Sequence, residues 1–121
     1  MIIMDERTVY SEHRPWGFFE VLSDTETHKV KRITVYPHKR LSLQRHARRK
    51  EHWFFIHGRG VVTLDTDNIP VDVGKCVDID FNVVHRVENT GDENVVYIEV
   101  QLGEYFGEDD IERIEDDYGR I

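Results

Sequence analysis

Short runs of alternating apolar and polar residues follow one another along almost the whole chain. β-Branched and aromatic residues are concentrated in these runs, as in residues 30–36 (VKRITVY), 51–56 (EHWFFI) and 95–101 (VVYIEVQ). Alternation with a period of two is typical of strands that bury one face. About nine such strands, at spacings near ten residues, predict an all-β sandwich or barrel.

The two ends of the chain depart from this pattern. In residues 108–117 the acids come first, and Ile111 and Ile114 lie three apart, on one face of a helix. We therefore predict a short C-terminal helix within an acidic tail, residues 104–121. Residues 1–13 are predicted to form an N-terminal arm, either irregular or an edge strand, and residues 1–121 to form a single domain.

Charge is unevenly distributed over the 121 residues, whose formal net charge is −8. Residues 104–121 hold eight acids and two arginines, whereas the segment from Lys29 to Lys50 holds nine lysines or arginines and no acid. A single basic segment is not the broad basic face of a nucleic-acid-binding protein, so no nucleic acid partner is expected. It suits a small anion such as a phosphate ester. The alternative is a solvated basic hairpin that pairs with the acidic tail.

The sequence predicts a cytoplasmic protein without a membrane partner. No run approaches the roughly 18–20 apolar residues of a membrane span, and residues 1–10 contain Asp5 and Glu6 but no signal-peptide core. Cys76 is the only cysteine, which excludes an internal disulfide and suits a reducing compartment. We expect Cys76 to be a buried residue rather than a nucleophile.

Side chains able to bind a metal are concentrated in residues 41–58 (LSLQRHARRKEHWFFIHG). Gln44 and His46 lie two apart, so they share one face of a strand. Residues 47–50 are polar and small enough to turn the chain, and Glu51 would then begin a second strand beside the first. An amide oxygen, a neutral imidazole and a carboxylate are all competent ligands of a divalent metal.

His85 is the fourth candidate ligand. Placed beside this hairpin in a small β-barrel, it completes a predicted metal site of Gln44, His46, Glu51 and His85. The spacing Q-x-H-x4-E-x6-G, from Gln44 to Gly58, resembles the first cupin motif with glutamine in place of its first histidine. The spacing G-x10-H-x3-N, which ends at Asn89, resembles the second cupin motif.

A longer series of motifs is more specific. RPWG, KRITV, SLQ, EHW, HRVEN, IEVQ, GEDDI and DYGR follow one another from Arg14 to Arg120. This series resembles the cupin domain of type II mannose-6-phosphate isomerases, often the C-terminal part of a bifunctional mannose-1-phosphate guanylyltransferase. The resemblance implies a cupin fold, the double-stranded β-helix or jelly-roll barrel, and a homodimer. It also implies a metal-dependent aldose–ketose isomerase that interconverts mannose 6-phosphate and fructose 6-phosphate.

The chain departs from the family pattern in two bends. The second cupin motif usually has a proline and a glycine before its histidine, where this chain has Asp80 and Asn82. Asparagine tolerates a positive φ better than most residues, so we expect Asn82 to preserve the bend. His38 likewise follows a proline where the family commonly has glycine. Neither departure affects the four predicted ligands.

Isomerisation also requires a proton shuttle and a means of holding the sugar phosphate. Tyr97, Glu99 and Gln101 share one face of the last strand. If that face lines the barrel, Glu99 is the candidate acid/base, and Tyr97 and Gln101 are substrate-binding candidates. Four basic side chains are further candidates: Lys31 and Arg86 as catalytic residues, and Arg32 and Arg45 as substrate-binding residues. For Arg86 a structural ion pair is the alternative.

The cofactor is predicted to be one divalent metal ion, with zinc as the first choice and manganese, iron, cobalt or nickel as alternatives. Two other functions remain open. One is a non-catalytic sugar- or nucleotide-sugar-binding cupin that partners a separate guanylyltransferase. The other is a non-haem iron oxygenase, since two histidines and one carboxylate can hold Fe(II). The Gln44 ligand position and the family motifs argue against the oxygenase.

Overall fold

The alternating runs form strands in a computed structural model of the chain, which describes residues 9–121. The strands within this range are β1 (Tyr10–Arg14), β2 (Gly17–Asp24), β3 (His28–Val35), β4 (Leu43–Arg45), β5 (Arg49–His57), β6 (Gly60–Leu64), β7 (Asp67–Val71), β8 (Cys76–Ile79), β9 (His85–Asn89), β10 (Val95–Gly103) and β11 (Glu112–Glu115). The all-β prediction is therefore confirmed.

The strands form two antiparallel sheets around one apolar core. Six strands pair in the order β1-β2-β3-β10-β5-β8, and five pair in the order β11-β4-β9-β6-β7. β4 and β5 therefore lie in different sheets, and the predicted hairpin of these two strands is wrong. The core includes residues from both sheets, and its largest fully buried side chains, Trp53, Phe55 and Tyr97, pack with ring centroids 4.8–6.4 Å apart. Alternation within β5 and β10 places these rings inside and leaves the intervening residues outside.

The inner faces of three neighbouring strands change from apolar to charged at one end of the core. In β10 the buried Tyr97 is followed on the same face by Glu99, which lies opposite Lys31 of β3. Glu51 of β5 lies opposite Gln101 of β10, and both are buried. Charged groups are rarely buried without partners, so this end of the core is where a site is expected.

The predicted C-terminal helix is wrong. Residues 112–115 form β11, which pairs with β4 in the register Arg113↔Gln44 and Glu112↔Arg45. β4 needs this partner because its other edge is taken by β9, and an unpaired edge leaves backbone groups unsatisfied. The three-residue spacing of Ile111 and Ile114 indicated a helix because it takes no account of this long-range pairing.

The tail supplies acids to the basic segment, as the alternative interpretation of the charge pattern predicts. Glu108 contacts Lys31 at 2.8 Å, and Asp117 contacts Arg40 at 2.7 Å. Further pairs of this kind are Lys29–Glu108, Arg45–Glu112 and Arg48–Glu104. The tail is therefore held across one end of the barrel by ion pairs.

Other local predictions have mixed outcomes. Cys76 is exposed rather than buried, because alternation in β8 places Val77 and Ile79 inside. Asn82 has a φ of 64°, so it makes the predicted bend before β9.

The predicted arm of residues 1–13 belongs to edge strand β1 from Tyr10 onward, and its first eight residues lie outside the described range. In residues 9–121, no helix is long and apolar enough to cross a membrane.

Candidate metal centre and pocket

Three buried side chains from separate strands converge at the charged end of the core. His46 follows β4, Glu51 lies in β5, and His85 begins β9. Each offers one ligand atom, and these atoms all lie within 4.8 Å of one another. Two imidazoles and a carboxylate at this spacing are a donor set that divalent transition metals bind.

His46 and His85 both point Nε2 toward the place where the three side chains converge. The Nδ1 atoms of His46 and His85 donate to the carbonyl oxygens of Asp110 (2.6 Å) and Val83 (2.9 Å). Each Nε2 therefore carries no proton and has a lone pair, the form that binds a metal. The buried Nε2 of His85 has no hydrogen-bond partner among the described residues. Burial lowers the pKa of His46 to about 4 and also lowers the pKa of His85, so both rings are neutral at pH 7.

Glu51 supplies the negative charge. Its Oε1 accepts a hydrogen bond from Trp53 Nε1, and its Oε2 accepts one from Arg49 Nε, each at 2.9 Å. Burial by itself would raise the pKa of Glu51, but the Arg49 charge and smaller contributions from His46, His85 and Glu99 together hold the pKa below its usual range. A buried ionised carboxylate beside two neutral imidazoles fits a divalent cation.

Arg49 is a buried member of the site that the sequence interpretation missed. Its Nη2 donates to His46 Nε2 at 3.3 Å, and its Nη1 is buried without a partner in the described structure. Residues 47–50 were predicted as a turn, but β5 already begins at Arg49. The sequence feature that could have identified Arg49 is its two-residue spacing from Glu51, which places both residues on one face of the strand.

The ring and the backbone carbonyl of His46 are each hydrogen-bonded to a segment that is distant in sequence. Its ring bonds to the carbonyl of Asp110, whose carboxylate also accepts from the backbone N–H groups of Ala47 (3.1 Å) and Arg48 (3.0 Å). Its own carbonyl accepts from Asn82 N–H at 2.8 Å. The tail and the bend before β9 therefore fix the ligand geometry.

Gln44, the fourth predicted ligand, lies directly beside His85 in the β4–β9 pairing. It lines the same pocket as His46. Its Oε1 accepts from Ser42 Oγ at 2.8 Å, and a carbonyl oxygen with two lone pairs keeps one for a metal. Its role as a ligand stays a prediction.

The β10 candidates share one face, as the sequence predicts, and the structure shows that this face is the inner one. Glu99 and Tyr97 line the pocket, and Gln101 Nε2 donates to Glu99 Oε2 at 2.6 Å. Burial, aided by the nearby negative charge of Glu51, raises the pKa of Glu99 to about 8. Burial also raises the pKa of Tyr97, whose hydroxyl has no hydrogen-bond partner within residues 9–121.

The predicted cations separate into two groups. Lys31 lines the pocket, where its ammonium lies 2.8 and 2.9 Å from the two carboxylate oxygens of Glu108. The other three are not among the pocket-lining residues and contact acids: Arg32 contacts Glu20, Arg45 contacts Glu112 and Arg86 contacts Glu115. Arg86 also donates to the Leu41 carbonyl at 3.0 Å, which fits the structural alternative for this residue.

Comparison with known proteins gives consistent results. The profile of the family described as mannose-6-phosphate isomerase C-terminal matches residues 4–116. The alginate biosynthesis protein AlgA of Pseudomonas aeruginosa is 44% identical over 108 residues, which cover 89% of this chain and 22% of the relative. A mannose-1-phosphate guanylyltransferase of Escherichia coli is 39% identical over 120 residues, which cover 96% of this chain and 26% of the relative. The chain therefore spans about a quarter of the length of these relatives.

A solved structure supports the fold. A double-stranded β-helix protein of Klebsiella pneumoniae superposes with a TM-score of 0.71 at 17% identity, covering 80% of this chain and 83% of that protein. At this identity the likeness concerns the fold alone, and it confirms the predicted cupin barrel. Together with the family match, it shows that the chain belongs to the mannose-6-phosphate isomerase C-terminal family of cupin domains.

Proposed function

We propose that this domain is a metal-dependent isomerase that interconverts mannose 6-phosphate and fructose 6-phosphate. The observation that carries the proposal is the convergence of His46, Glu51 and His85 at a pocket that His46 lines together with Glu99. These three side chains would hold the metal, with the Gln44 amide oxygen as a fourth ligand and zinc as the first choice of ion. When bound, a divalent metal polarises carbonyl and hydroxyl oxygens at the reacting carbons.

The side chains of this chain account for the remaining requirements. The Glu99 carboxyl is the group that would take a proton from one of the two reacting carbons and return it to the other. Its raised pKa suits a group that must both accept and release a proton near neutral pH. Trp53 and Tyr97 form an apolar wall beside it, which limits the access of water.

A coupled assay tests the proposal directly. The chain would be stripped with a chelator, reloaded separately with zinc, manganese, iron, cobalt or nickel, and supplied with mannose 6-phosphate. We expect the stripped protein to be inactive and at least one metal to restore turnover, with little activity on unphosphorylated mannose. Absence of interconversion with every metal would contradict the proposal.

The alternative is a non-catalytic sugar- or nucleotide-sugar-binding cupin that partners a guanylyltransferase. The observation in its favour is that the chain covers only about a quarter of relatives that include a mannose-1-phosphate guanylyltransferase. It predicts that sugar phosphate or nucleotide sugar raises the melting temperature without turnover. The oxygenase hypothesis predicts instead that the iron-loaded protein consumes oxygen.

Replacement of Arg49 by methionine is expected to enlarge the stabilisation that metal provides. Without metal, Arg49→Met leaves the Glu51 carboxylate buried without its cation, a loss of about 3–5 kcal/mol in the free energy of unfolding. A metal ion would replace the missing charge. Calorimetry with and without zinc should therefore show a larger metal-induced rise in melting temperature than in the wild type.

The matched control for this experiment is Arg48→Met, at the preceding position. The Arg48 side chain is exposed and contacts Glu104. Its replacement should leave the metal-induced shift unchanged. Equal shifts in all three proteins would show that Arg49 does not lie against the metal-binding groups in solution.

We also propose that the chain forms a homodimer and works with a sugar phosphate in the cytoplasm. Exposed sheet edges favour pairing between copies of a β domain. Sedimentation equilibrium should give twice the mass of the chain, and a concentration-independent monomer would contradict the dimer.

A further inference from the structure

Several cations that line the pocket were not among the sequence candidates. Arg14 extends from the end of β1, Arg113 from β11, and Arg120 from the segment that follows β11. The same pocket is lined by His46 and Glu99. Like charges from three separate segments repel one another, so their meeting in one pocket points to an anion.

Arg113 is the central member of this cluster. Burial and the nearby charges of Arg120 and Arg14 lower the pKa of Arg113. Arg14 has Glu12 as an acidic partner at 2.6 Å, and Arg120 has Asp116 at 2.8 Å. Arg113 Nε, in contrast, is buried with no hydrogen-bond partner in the described part of the chain. A buried guanidinium N–H without an acceptor is costly unless a ligand supplies one.

The sheet register relates Arg113 to the metal-binding residues. Arg113 lies opposite Gln44 in the β11–β4 pairing, and Gln44 lies opposite His85 in the β4–β9 pairing. Residues directly opposite one another project to the same face of a sheet. Arg113 and His85 are therefore on one face, two strand spacings or about 10 Å apart.

The other cations of the pocket are already neutralised. Lys31 lies against Glu108, and Arg49 lies against Glu51. Arg49 keeps one unpartnered donor, Nη1, but its guanidinium lies against Glu51 and His46 at the metal-binding groups. Away from those groups, a dianionic phosphate finds an unsatisfied donor at Arg113 Nε rather than at Lys31. In a hexose 6-phosphate the phosphate and the reacting carbons are at opposite ends of the molecule, which matches the separation of Arg113 from His85.

We propose that Arg14, Arg113 and Arg120 form the phosphate-binding subsite of the pocket and determine specificity for phosphorylated over unphosphorylated sugars. The inference deepens the proposed function, since it names the groups that recognise one end of its substrate. Guanidinium groups suit this role because they form paired, charge-assisted hydrogen bonds with phosphate oxygens.

Two measurements on Arg113→Gln test the inference. In steady-state kinetics, KM for mannose 6-phosphate should rise about 10- to 100-fold, the effect of losing one charge-assisted hydrogen bond, while kcat changes much less. In calorimetric titration, inorganic phosphate should bind the wild type and bind Arg113→Gln at least tenfold more weakly. Arg113→Lys, which keeps the charge, should recover part of both losses. Arg48→Gln is the control and should behave as the wild type does.

The titration separates this inference from the proposed function, because phosphate binding needs no turnover. A wild type that binds phosphate through Arg113 but does not isomerise sugars would support the subsite and contradict the isomerase. Unchanged phosphate affinity in a folded Arg113→Gln would overturn the subsite, and so would a loss of kcat with KM unchanged. Should Arg113→Gln fail to fold, Arg14→Gln replaces it in both measurements. It should likewise raise KM and weaken phosphate binding, and unchanged phosphate affinity in this variant would overturn the subsite.

Discussion

Replacement of His85 by alanine is expected to abolish metal binding and turnover together. The His85 Nε2 atom is buried, has no hydrogen-bond partner among the described residues, and lies with the ligand atoms of His46 and Glu51. Its loss removes one of two neutral nitrogen donors. Because even residues that only support metal ligands contribute about 10- to 100-fold to affinity, the loss of a ligand should exceed 100-fold. The metal content from elemental analysis and the turnover in the coupled assay should fall in parallel.

A second variant of the same site, Glu51→Gln, removes the negative charge of the side chain and retains its shape. Its side-chain carbonyl can still accept from Trp53 Nε1, so the fold is preserved better than in an alanine variant. The matched control is His52→Ala, because the neighbouring His52 points outward and contacts Asp78. The control should retain metal and activity. A folded His85→Ala protein with full metal content would contradict the assignment.

Replacement of Glu99 by glutamine is expected to eliminate turnover while metal remains bound. Glutamine is nearly isosteric with glutamate but cannot take up and release the proton. General acid–base groups contribute about 10²- to 10⁴-fold to rate, so kcat should fall within that range. KM for mannose 6-phosphate should change only a few-fold, since Glu99 does not hold the phosphate. The measurement is steady-state kinetics on protein of verified metal content.

The control for this experiment is Glu20→Gln, because Glu20 lies on the outer side of β2, where it contacts Arg32. Its kcat should equal that of the wild type. If Glu99→Gln retained kcat within about threefold, another group would have to move the proton, since loss of an acid/base costs far more. Loss of metal together with kcat would instead show that Glu99 supports the metal centre.

The sequence was most informative where the chemistry is local to one strand. Alternation placed Tyr97 and Glu99 on one face, and the structure places both at the pocket. The spacing of Gln44 and His46, together with the position of Glu51, predicted ligands that face one point, and His46 and Glu51 do converge. They do so from strands of different sheets rather than from the predicted hairpin. The convergence of His85 with them was proposed from its placement in a small β-barrel and then supported by the family resemblance, because no local pattern relates residues of separate strands.

The tail shows what local patterns cannot reveal. Its ion pairs join residues far apart in sequence, such as Lys31 with Glu108, and alternation does not report such partners. The helix prediction failed for the same reason, since β11 forms by pairing with β4. Arg113 was missed because its neighbours Gln44 and His85 become adjacent only through sheet register.

The X-ray absorption spectrum of the zinc-loaded chain is the most direct test of the central claim. We expect one zinc per chain with nitrogen and oxygen ligands only, including two imidazoles from His46 and His85. A spectrum without imidazole scattering, or with a sulfur ligand from the exposed Cys76, would contradict it.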